Sequence, residues 1–473
     1  MSHDLKTILS KFEEDYPKVL EHLKELVRIP SISFEGFPKG ELERSAQAVL
    51  TLMKQSGIVN SEILQLSNVH PYVYGERIED PRLPTLLLYA HHDVQPVGRE
   101  SVWKTKPFEP TEKEGPGGLR LYGRGTSDDK AGILVHLAAI RAYLNATGSL
   151  PVNVKVVIDG EEETGSQNLK TFLNHYRDRL DADALVLTDT MNFDVGVPGL
   201  TTSLRGLVDV GFEVRSTDRV LHSGLWGGPV PDVAMAITKI CASLVDDQGM
   251  VAIPEILAEV PELSEQERRD FDALPVDREL IRKQTGVLKD VPLLMEDQNP
   301  YELIWRKPMI SVNAIQSSSR KQAGNTLNDS AWAKVSVRVP PGMNGDQVMR
   351  SLKSAIKKAV PFGCELEFTH ESVGSPWSTD PYSKKNESIF QAAKSALEKG
   401  YGHKAVYVGC GGTIPFVEPF AEALGGVPAL LIGVEDPYTN AHGENESMHL
   451  GDFHSACLSQ IHLFSELSEK IKK

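Results

Sequence analysis

The sequence predicts an α/β fold with a mostly parallel sheet and helices on both of its faces, together with an inserted α+β domain. Two observations carry this prediction. Several short segments are mostly apolar, which is typical of strands buried on both faces of a parallel sheet. Two segments in the middle of the chain instead alternate apolar and polar residues, as antiparallel strands with one solvated face do. A chain of 473 residues is long enough for both domains.

The first buried-type strand begins at Thr85 and leads directly into His91, His92 and Asp93. Residues two apart in an extended segment point to the same side, so His91 can face a ligand while Asp93 lies close enough to hold it. Spacing alone leaves His92 open as the ligand. Taken by itself, a His-x-Asp sequence is more often the polar end of an ordinary strand.

The segments around this strand predict the surrounding elements. Apolar residues at helical spacing predict a helix over Leu5–Val27, and short strands are expected between Asn60 and Gly75. A loop rich in proline and glycine then precedes Asp128 and Asp129, and an apolar helix is expected over Ile133–Tyr143. An aspartate before a helix is an ordinary N-cap, so each aspartate alone has a structural explanation.

Three further buried-type strands also end in polar residues. They are predicted over Val152–Ile158, Ala184–Thr188 and Val427–Gly433. The polar residues that follow them are, in the same order, Glu162 and Glu163, then Asp189, then His442. Adjacent glutamates also suit a solvated acidic turn. Asp128 likewise falls in the turn after a short strand. The carboxyl ends of parallel strands meet at one edge of a sheet, so with His91 there are five such positions, and their chance convergence is far less probable than chance placement of one. The set predicts a metal site.

The alternating segments predict the inserted domain. Leu207–Val214 and Trp332–Val339 alternate, and charged helices such as Ser264–Leu274 lie between them. The predicted division is 1–202 for the first part of the catalytic domain, 203–378 for the insertion and 379–473 for the second part.

Composition excludes several classes of function. There are 50 Lys and Arg against 65 Asp and Glu, and the net charge of −15 argues against nucleic acid or an anionic membrane as partner. The amino-terminal segment lacks the apolar core of a signal peptide, and no apolar run approaches the roughly 20 residues of a membrane-spanning helix. The four cysteines are scattered, which fits a reducing cytoplasm and rules out a four-cysteine zinc knuckle.

Two histidines with several carboxylates and no cysteine suit Zn²⁺, Mn²⁺ or Co²⁺. A pair of such ions needs a shared carboxylate, and hydrolysis needs a general base that is not itself a ligand. Of two adjacent glutamates, one can bind a metal ion while the other accepts the proton from water.

The ordered motifs resemble one known family, the dinuclear metallopeptidases of the carnosinase and cytosolic nonspecific dipeptidase type. Its relatives include carboxypeptidase G, aminoacylase and succinyl-diaminopimelate desuccinylase. The matching motifs are His91-His92-Asp93, Gly125-Thr-Ser-Asp-Asp-Lys130, Glu161-Glu-Glu-Thr-Gly-Ser166, Asp189, Leu221-His-Ser-Gly224 and Ala441-His442. The resemblance implies a zinc-peptidase-like catalytic domain and an inserted lid and dimerisation domain.

The resemblance also implies roles for the metal ligands. His91 and Asp189 would bind one divalent ion, Glu163 and His442 would bind the other, and Asp128 would bridge them. Zinc is expected first, with manganese or cobalt as alternatives.

Further roles follow from the same family pattern. Glu162 would be the general base, and Asp93 would orient His91. His222 would reach into the site of the partner subunit of a homodimer. The expected substrate-binding residues are Arg338, Asn325 and Thr413, although Arg338 alone would pass for a solvated arginine.

Three departures from the family pattern leave the expected ligands intact. Ala90 stands where relatives often have glycine, Cys410 where dipeptidase relatives often have glutamate, and Asn325-Thr-Leu-Asn328 replaces a commoner Asn-Val-Ile-Pro. We expect these three differences to affect substrate preference.

We therefore expect a cytoplasmic, metal-dependent dipeptidase that hydrolyses short peptides with a free C-terminal carboxylate. It would use water activated by two metal ions and a glutamate base. The alternative within the family is an N-acyl-amino-acid amidohydrolase or a carboxypeptidase. A non-enzymatic binding protein on the same scaffold would have been marked by loss of Glu162 or His222, and both are present.

Overall fold

The structure is a computed structural model that describes residues 4–64, 66, 69–414 and 416–471. Residues 65, 67 and 68, within the stretch predicted to hold the first short strands, lie outside this description. The elements of the amino-terminal part are α1 (Leu5–Val27), α2 (Lys39–Gln55), β1 (Asn60–Leu64), β2 (Tyr72–Arg77), β3 (Thr85–His91), β4 (Thr111–Gly115), β5 (Gly118–Tyr122), α3 (Lys130–Thr147), β6 (Asn153–Asp159), α4 (Leu169–Leu180), β7 (Ala184–Leu187) and β8 (Gly199–Leu204).

The middle part carries more strands that pair antiparallel. Its elements are β9 (Gly206–Arg215), β10 (Leu221–His222), α5 (Ser223–Trp226), α6 (Val233–Ala242), α7 (Pro254–Leu257), α8 (Glu265–Asp272), α9 (Arg278–Thr285), α10 (Pro300–Arg306), β11 (Met309–Gln316), β12 (Thr326–Leu327), β13 (Ser330–Val339), α11 (Gly345–Ala359), β14 (Glu365–Gly374) and β15 (Trp377–Ser378). The carboxyl-terminal part adds α12 (Glu387–Tyr401), β16 (Val406–Cys410), α13 (Val417–Ala423), β17 (Ala429–Leu431), β18 (Ser447–His449) and α14 (Leu450–Lys470).

The chain divides into two compact units. The first comprises residues up to Thr202, Thr379–Val408 and residues from Ile414 onward, and the second comprises Ser203–Ser378 with Gly409–Thr413. The short segment Gly409–Thr413 therefore groups with the second unit, whereas the predicted boundaries assign it to the catalytic domain. The lid and dimerisation roles of the second unit stay predictions.

The centre of the large sheet is parallel, as predicted. Its strand order begins β1-β2-β6-β3-β7-β17-β8, and the β6–β3, β3–β7 and β7–β17 pairs are parallel, while β1, β2 and β8 pair antiparallel with their neighbours. All seven residues of β3 are buried. Leu86, Leu88 and Ala90 belong to the core that also contains residues of α1, α3 and α14. On the other face Tyr89 stacks on Phe416 with ring centroids 3.7 Å apart. Both faces are covered, which explains the unbroken apolar run.

The second unit has a four-stranded antiparallel sheet in the order β11-β13-β9-β14. Alternation along β9 and β13 places residues such as Val208, Val210 and Val335 in a core with α6 and α11. The other face carries polar side chains, including Lys334 and Arg338, as the alternation predicted. Among the helices that the structure describes, none has the length and apolarity to cross a membrane.

Candidate metal centre

Polar residues follow the parallel strands of the first unit at one edge of the sheet. His91, the last residue of β3, pairs with Asp159, the last residue of β6. On the other side of β3, Tyr89 pairs with Leu187, the last residue of β7. The end of β17 comes so close that a Cβ atom on Gly433 would lie 1.5 Å from the carbonyl oxygen of Thr190. Only glycine permits this approach, which brings the segment after β17 against the segment that carries Asp189.

The five predicted metal ligands lie together at this edge. Asp128 is at the centre, because its Oδ1 is 3.0 Å from His91 Nε2 and its Oδ2 is 3.1 Å from His442 Nε2. Asp189 Oδ1 lies 3.7 Å from His91 Nε2, and Glu163 Oε2 lies 3.3 Å from His442 Nε2. One carboxylate therefore faces two separate histidine–carboxylate pairs.

Asp93 and His92 take different positions. The Asp93 carboxylate lies 3.4 Å from His91 Nδ1, opposite the nitrogen that faces Asp128. His92 is buried, and its Nε2 lies 3.0 Å from the carbonyl oxygen of Pro71. Burial lowers the pKa of His92 to about 4, so this imidazole is neutral at pH 7. The structure thus separates the two adjacent histidines that spacing alone could not.

The turn that carries the two glutamates is fixed by the same aspartate. Asp93 accepts hydrogen bonds from the backbone N–H groups of Glu162 (3.2 Å) and Glu163 (3.0 Å). Glu163 also accepts from Gln95, through the backbone N–H (3.0 Å) and the side-chain amide (2.7 Å). Glu162 is half-buried and belongs to neither of the two groups of residues close enough to hold a metal ion.

The electrostatics of the cluster indicate a deficit of positive charge. Burial raises the pKa of Glu162 and of Asp189 above their ordinary values, and burial together with the charge of Asp128 raises the pKa of Glu163 to about 7. Burial would lower the pKa of His91, but the adjacent carboxylates of Asp128 and Asp189 raise it well above its usual value. Carboxylates that disfavour one another's ionisation are stabilised by a cation.

The donor set fits divalent metal ions. Two groups of side chains can each bring their ligand atoms within 4.8 Å of one another, and they consist of His91, Asp129 and Asp189, and of Asp128, Glu163 and His442. His91 Nε2 is buried and makes no hydrogen bond of normal geometry within the described part of the chain, although carboxylate oxygens lie beside it. An imidazole nitrogen oriented in this way is arranged for a metal.

The loop that carries His442 is held by an ion pair that motif reasoning did not identify. Glu446 is fully buried and pairs with Arg124 at 2.7 Å. It also accepts hydrogen bonds from the backbone N–H groups of Gly125 (2.9 Å), Ser127 (3.1 Å) and Asp128 (3.3 Å). Glu446 thus fixes the turn that presents Asp128. Its only sequence signal is a second glutamate in the acidic run after His442.

Two other carboxylates near the centre were not assigned a role in advance. Asp129 Oδ2 accepts a hydrogen bond from the backbone N–H of His91 (3.3 Å), while its Oδ1 is buried without a partner among the described residues. The peptide bond between Asp128 and Asp129 is cis. Burial and the charges of Asp128 and Asp189 raise the pKa of Glu435, which follows β17. Neither Asp129, which follows Asp128, nor Glu435, which follows a strand, belongs to a motif that distinguishes it from a solvated residue.

The remaining predicted residues lie in the second unit. His222 is exposed on β10, and its Nδ1 accepts a hydrogen bond from the N–H of Gly224 (3.0 Å). Asn325 is exposed, and its carbonyl oxygen accepts from the backbone N–H and the hydroxyl of Ser223. Arg338 is half-buried and donates from Nη1 to the hydroxyl of Thr413 (3.1 Å).

Comparison with known proteins decides the family. Residues 87–464 match the model of peptidase family M20/M25/M40. The chain belongs to this family. The cysteinylglycine-S-conjugate dipeptidase of Corynebacterium striatum is 34% identical over 369 residues, which cover 77% of each chain.

Two solved structures of this M20-type peptidase fold show the same architecture. The dipeptidase Dug1p of Saccharomyces cerevisiae has a TM-score of 0.85 and 26% identity, with 99% of each chain covered. Human carnosine dipeptidase 1 also has a TM-score of 0.85, with 25% identity and coverage of 98% of this chain and 99% of that one. The predicted family, the α/β fold with its inserted domain and the metallohydrolase class are confirmed.

Proposed function

We propose that this protein is a metal-dependent dipeptidase that hydrolyses the amide bond of short peptides with a free C-terminal carboxylate. The observation that carries the proposal is the placement of Asp128, which directs one oxygen to His91 and the other to His442. Glu162 stands beside these groups without joining either of them.

Two divalent ions fit the residues present. His91 and Asp189 would hold one, Glu163 and His442 the other, and Asp128 would contact both. Imidazole and carboxylate donors favour Zn²⁺ and also accept Mn²⁺ or Co²⁺. When bound, such a pair supplies Lewis acidity that polarises a carbonyl oxygen and makes water more acidic.

The chain itself supplies the proton transfers. Glu162 accepts the proton of the attacking water on its carboxylate and returns it to the leaving amine. A carboxylate whose pKa is raised by burial is suited to this exchange, because it holds the proton more readily between the two steps. Asp93 maintains the geometry, since it contacts His91 Nδ1 and the backbone of both glutamates.

The second unit supplies substrate recognition. Arg338 binds the substrate carboxylate, because a planar guanidinium can donate two parallel hydrogen bonds to it. Among the described residues Arg338 has no acidic partner, and it donates a hydrogen bond to the hydroxyl of Thr413. Thr413 and Asn325 complete this group by family pattern.

His222 and the homodimer belong to the same proposal. His222 reaches the partner subunit's site and polarises the scissile carbonyl, which requires an exposed histidine. Exposed apolar residues of the second unit support an interface. Val312 and Ile315 are exposed on β11, which is an edge strand, and Leu225 and Trp226, which follow His222 in the chain, are 74% and 52% exposed. Exposed apolar residues next to a free strand edge are suited to association.

We also propose a cytoplasmic location. None of the four cysteines, all of which lie in the described part of the chain, forms a disulfide. This agrees with a reducing compartment.

A substrate panel tests the function. Metal-stripped protein is restored separately with Zn²⁺, Mn²⁺ and Co²⁺ and assayed with Cys-Gly, other Xaa-Gly dipeptides, β-Ala-His, tripeptides and N-acetyl amino acids. The proposal expects cleavage of dipeptides. Cleavage confined to acylated amino acids would instead identify an amidohydrolase, and preferential release of the last residue from longer peptides would identify a carboxypeptidase.

The base assignment is tested by Glu162→Gln. The variant should keep the metal content of the wild type, measured by atomic absorption, while turnover falls by at least about a hundredfold. Substantial residual activity in the fully metallated variant would show that another group takes the proton.

A further inference from the structure

Arg205 holds the backbone of the segment that carries Thr413. It links β8 to β9 in the chain and is almost fully buried. Its backbone N–H donates to the carbonyl oxygen of Cys410 (3.2 Å). Its Nε donates to the carbonyl oxygen of Gly411 (3.1 Å), and its Nη1 donates to that of Lys307 (3.3 Å). One arginine therefore fixes two backbone segments of the second unit.

A short chain of hydrogen bonds links Arg205 to Arg338. The hydroxyl of Thr413 donates to the carbonyl oxygen of Arg205 (2.6 Å) and accepts from Nη1 of Arg338 (3.1 Å). The packing is close, because a Cβ atom on Gly411 would lie 2.9 Å from Nη2 of Arg205. The position of the Arg338 guanidinium thus depends on the segment that Arg205 holds.

The two arginines also share an electrostatic environment. Neither forms an ion pair with a carboxylate among the residues that the structure describes, although most other buried arginines do. Burial and then the charge of Arg338 lower the pKa of Arg205 to about 10, and burial lowers that of Arg338. Two positive charges therefore lie close together without a countercharge.

We propose that Arg205 is a positioning residue of the substrate-carboxylate subsite. It orients Arg338 through Thr413 and adds a second, uncompensated positive charge that favours an anionic ligand. The inference rests on the proposed function of Arg338 and extends it. Two of the three guanidinium nitrogens of Arg205, Nε and Nη1, donate to backbone carbonyl oxygens, which favours a positioning role over direct contact with the substrate.

The inference predicts a selective effect on carboxylate binding. Calorimetry on metal-loaded protein in the Glu162→Gln background measures binding of a dipeptide and of the same dipeptide with an amidated C-terminus, so that neither ligand is consumed. Arg205→Gln should weaken binding of the free acid by roughly tenfold, as expected for loss of one charge-assisted contribution, and leave the amide nearly unaffected. Arg205→Lys, which keeps the charge, should restore part of the preference.

Arg215→Gln is the matched control. Arg215 lies on β9 and pairs with Glu213 and Asp329 on the surface, so its loss should leave the ratio of the two affinities unchanged. Equal weakening of acid and amide by Arg205→Gln, or an unchanged ratio, would overturn the inference. Absence of dipeptide turnover by the wild type would refute the proposed function separately, since the binding ratio does not depend on turnover.

Arg205→Lys tests the inference without removing the buried charge. A single ammonium group cannot reproduce the planar guanidinium that donates to the carbonyl oxygens of both Gly411 and Lys307. The ratio of the affinities for the free acid and the amide should therefore fall below that of the wild type, but by less than in Arg205→Gln. If Arg205→Gln fails to fold, this variant decides, and a wild-type ratio in Arg205→Lys would overturn the inference.

Discussion

The two halves of the candidate metal centre differ in how the fold holds their histidines. His91 is fully buried at the end of a strand that is covered on both faces. The His442 side chain is 61% exposed and sits on a loop in which His442, Asn440 and Asn445 all have left-handed backbone conformations. Such conformations cost about 1–3 kcal/mol for residues other than glycine, and the surrounding contacts must supply that energy.

The difference shows that the sheet determines the position of one histidine, whereas side-chain contacts determine the position of the other. The position of His91 follows from the register of β3 with β6 and from Asp93. The position of the His442 loop depends on Arg124, which pairs with Glu446 and donates to the carbonyl oxygen of Gly443 (3.0 Å). Asp128 stands between the halves and is fixed by Glu446.

The largest effect is expected from Asp128→Asn, which acts on both halves at once. Loss of the charge that faces both histidines should remove both ions and reduce activity to background. Metal content by plasma mass spectrometry checks this. A variant that retains both ions would show that the halves do not share this carboxylate.

The pair His91→Ala and His442→Ala separates the halves. Each should lose metal, but His91→Ala should lower the free energy of unfolding of the metal-free protein more, by about 2–4 kcal/mol, because it opens a buried cavity and removes the imidazole beside Asp93. His442→Ala should lower it less, because its exposed side chain leaves no cavity and only its contacts with Asp128 and Glu163 are lost. Chemical denaturation of both metal-free variants measures the difference, and equal losses would remove the contrast.

Glu446→Gln tests the support of the loop half. Outer residues that orient metal ligands typically contribute 10–100-fold in metal affinity, and we expect a loss in that range by competition with a chelator. Glu444→Gln is the control, because Glu444 lies in the same loop and pairs with the exposed Arg99. Similar losses in the two variants would show that the buried ion pair has no special role.

His92→Ala should have the smallest effect. His92 contacts Pro71 and lies outside both ligand groups, so the variant should keep both ions and its activity within about threefold. Loss of metal from this variant would reverse the assignment of the two adjacent histidines.

Sequence patterns predicted the positions of the helix and strands around His91 well. The helix Leu5–Val27 has its predicted bounds, and the buried-type strands predicted from Thr85, Val152 and Ala184 correspond to β3, β6 and β7. The predicted Val427–Gly433 strand is shorter, at Ala429–Leu431, because the close approach of Gly433 to Thr190 ends the regular pairing.

The contributions of Glu446 and Arg205 could not be predicted in the same way. Both act through hydrogen bonds to backbone atoms of segments distant in the chain, such as Gly125 for Glu446 and Gly411 for Arg205. Neither periodicity nor local spacing reports such contacts. They become visible only when the loops are placed together.

The central claim is that two ions share Asp128, and anomalous diffraction from crystals of the metal-loaded protein tests it most directly. We expect two peaks roughly 3.5–4 Å apart on either side of the Asp128 carboxylate. One should contact His91 and Asp189, and the other Glu163 and His442. A single peak, or a peak coordinated by His92, would contradict the account.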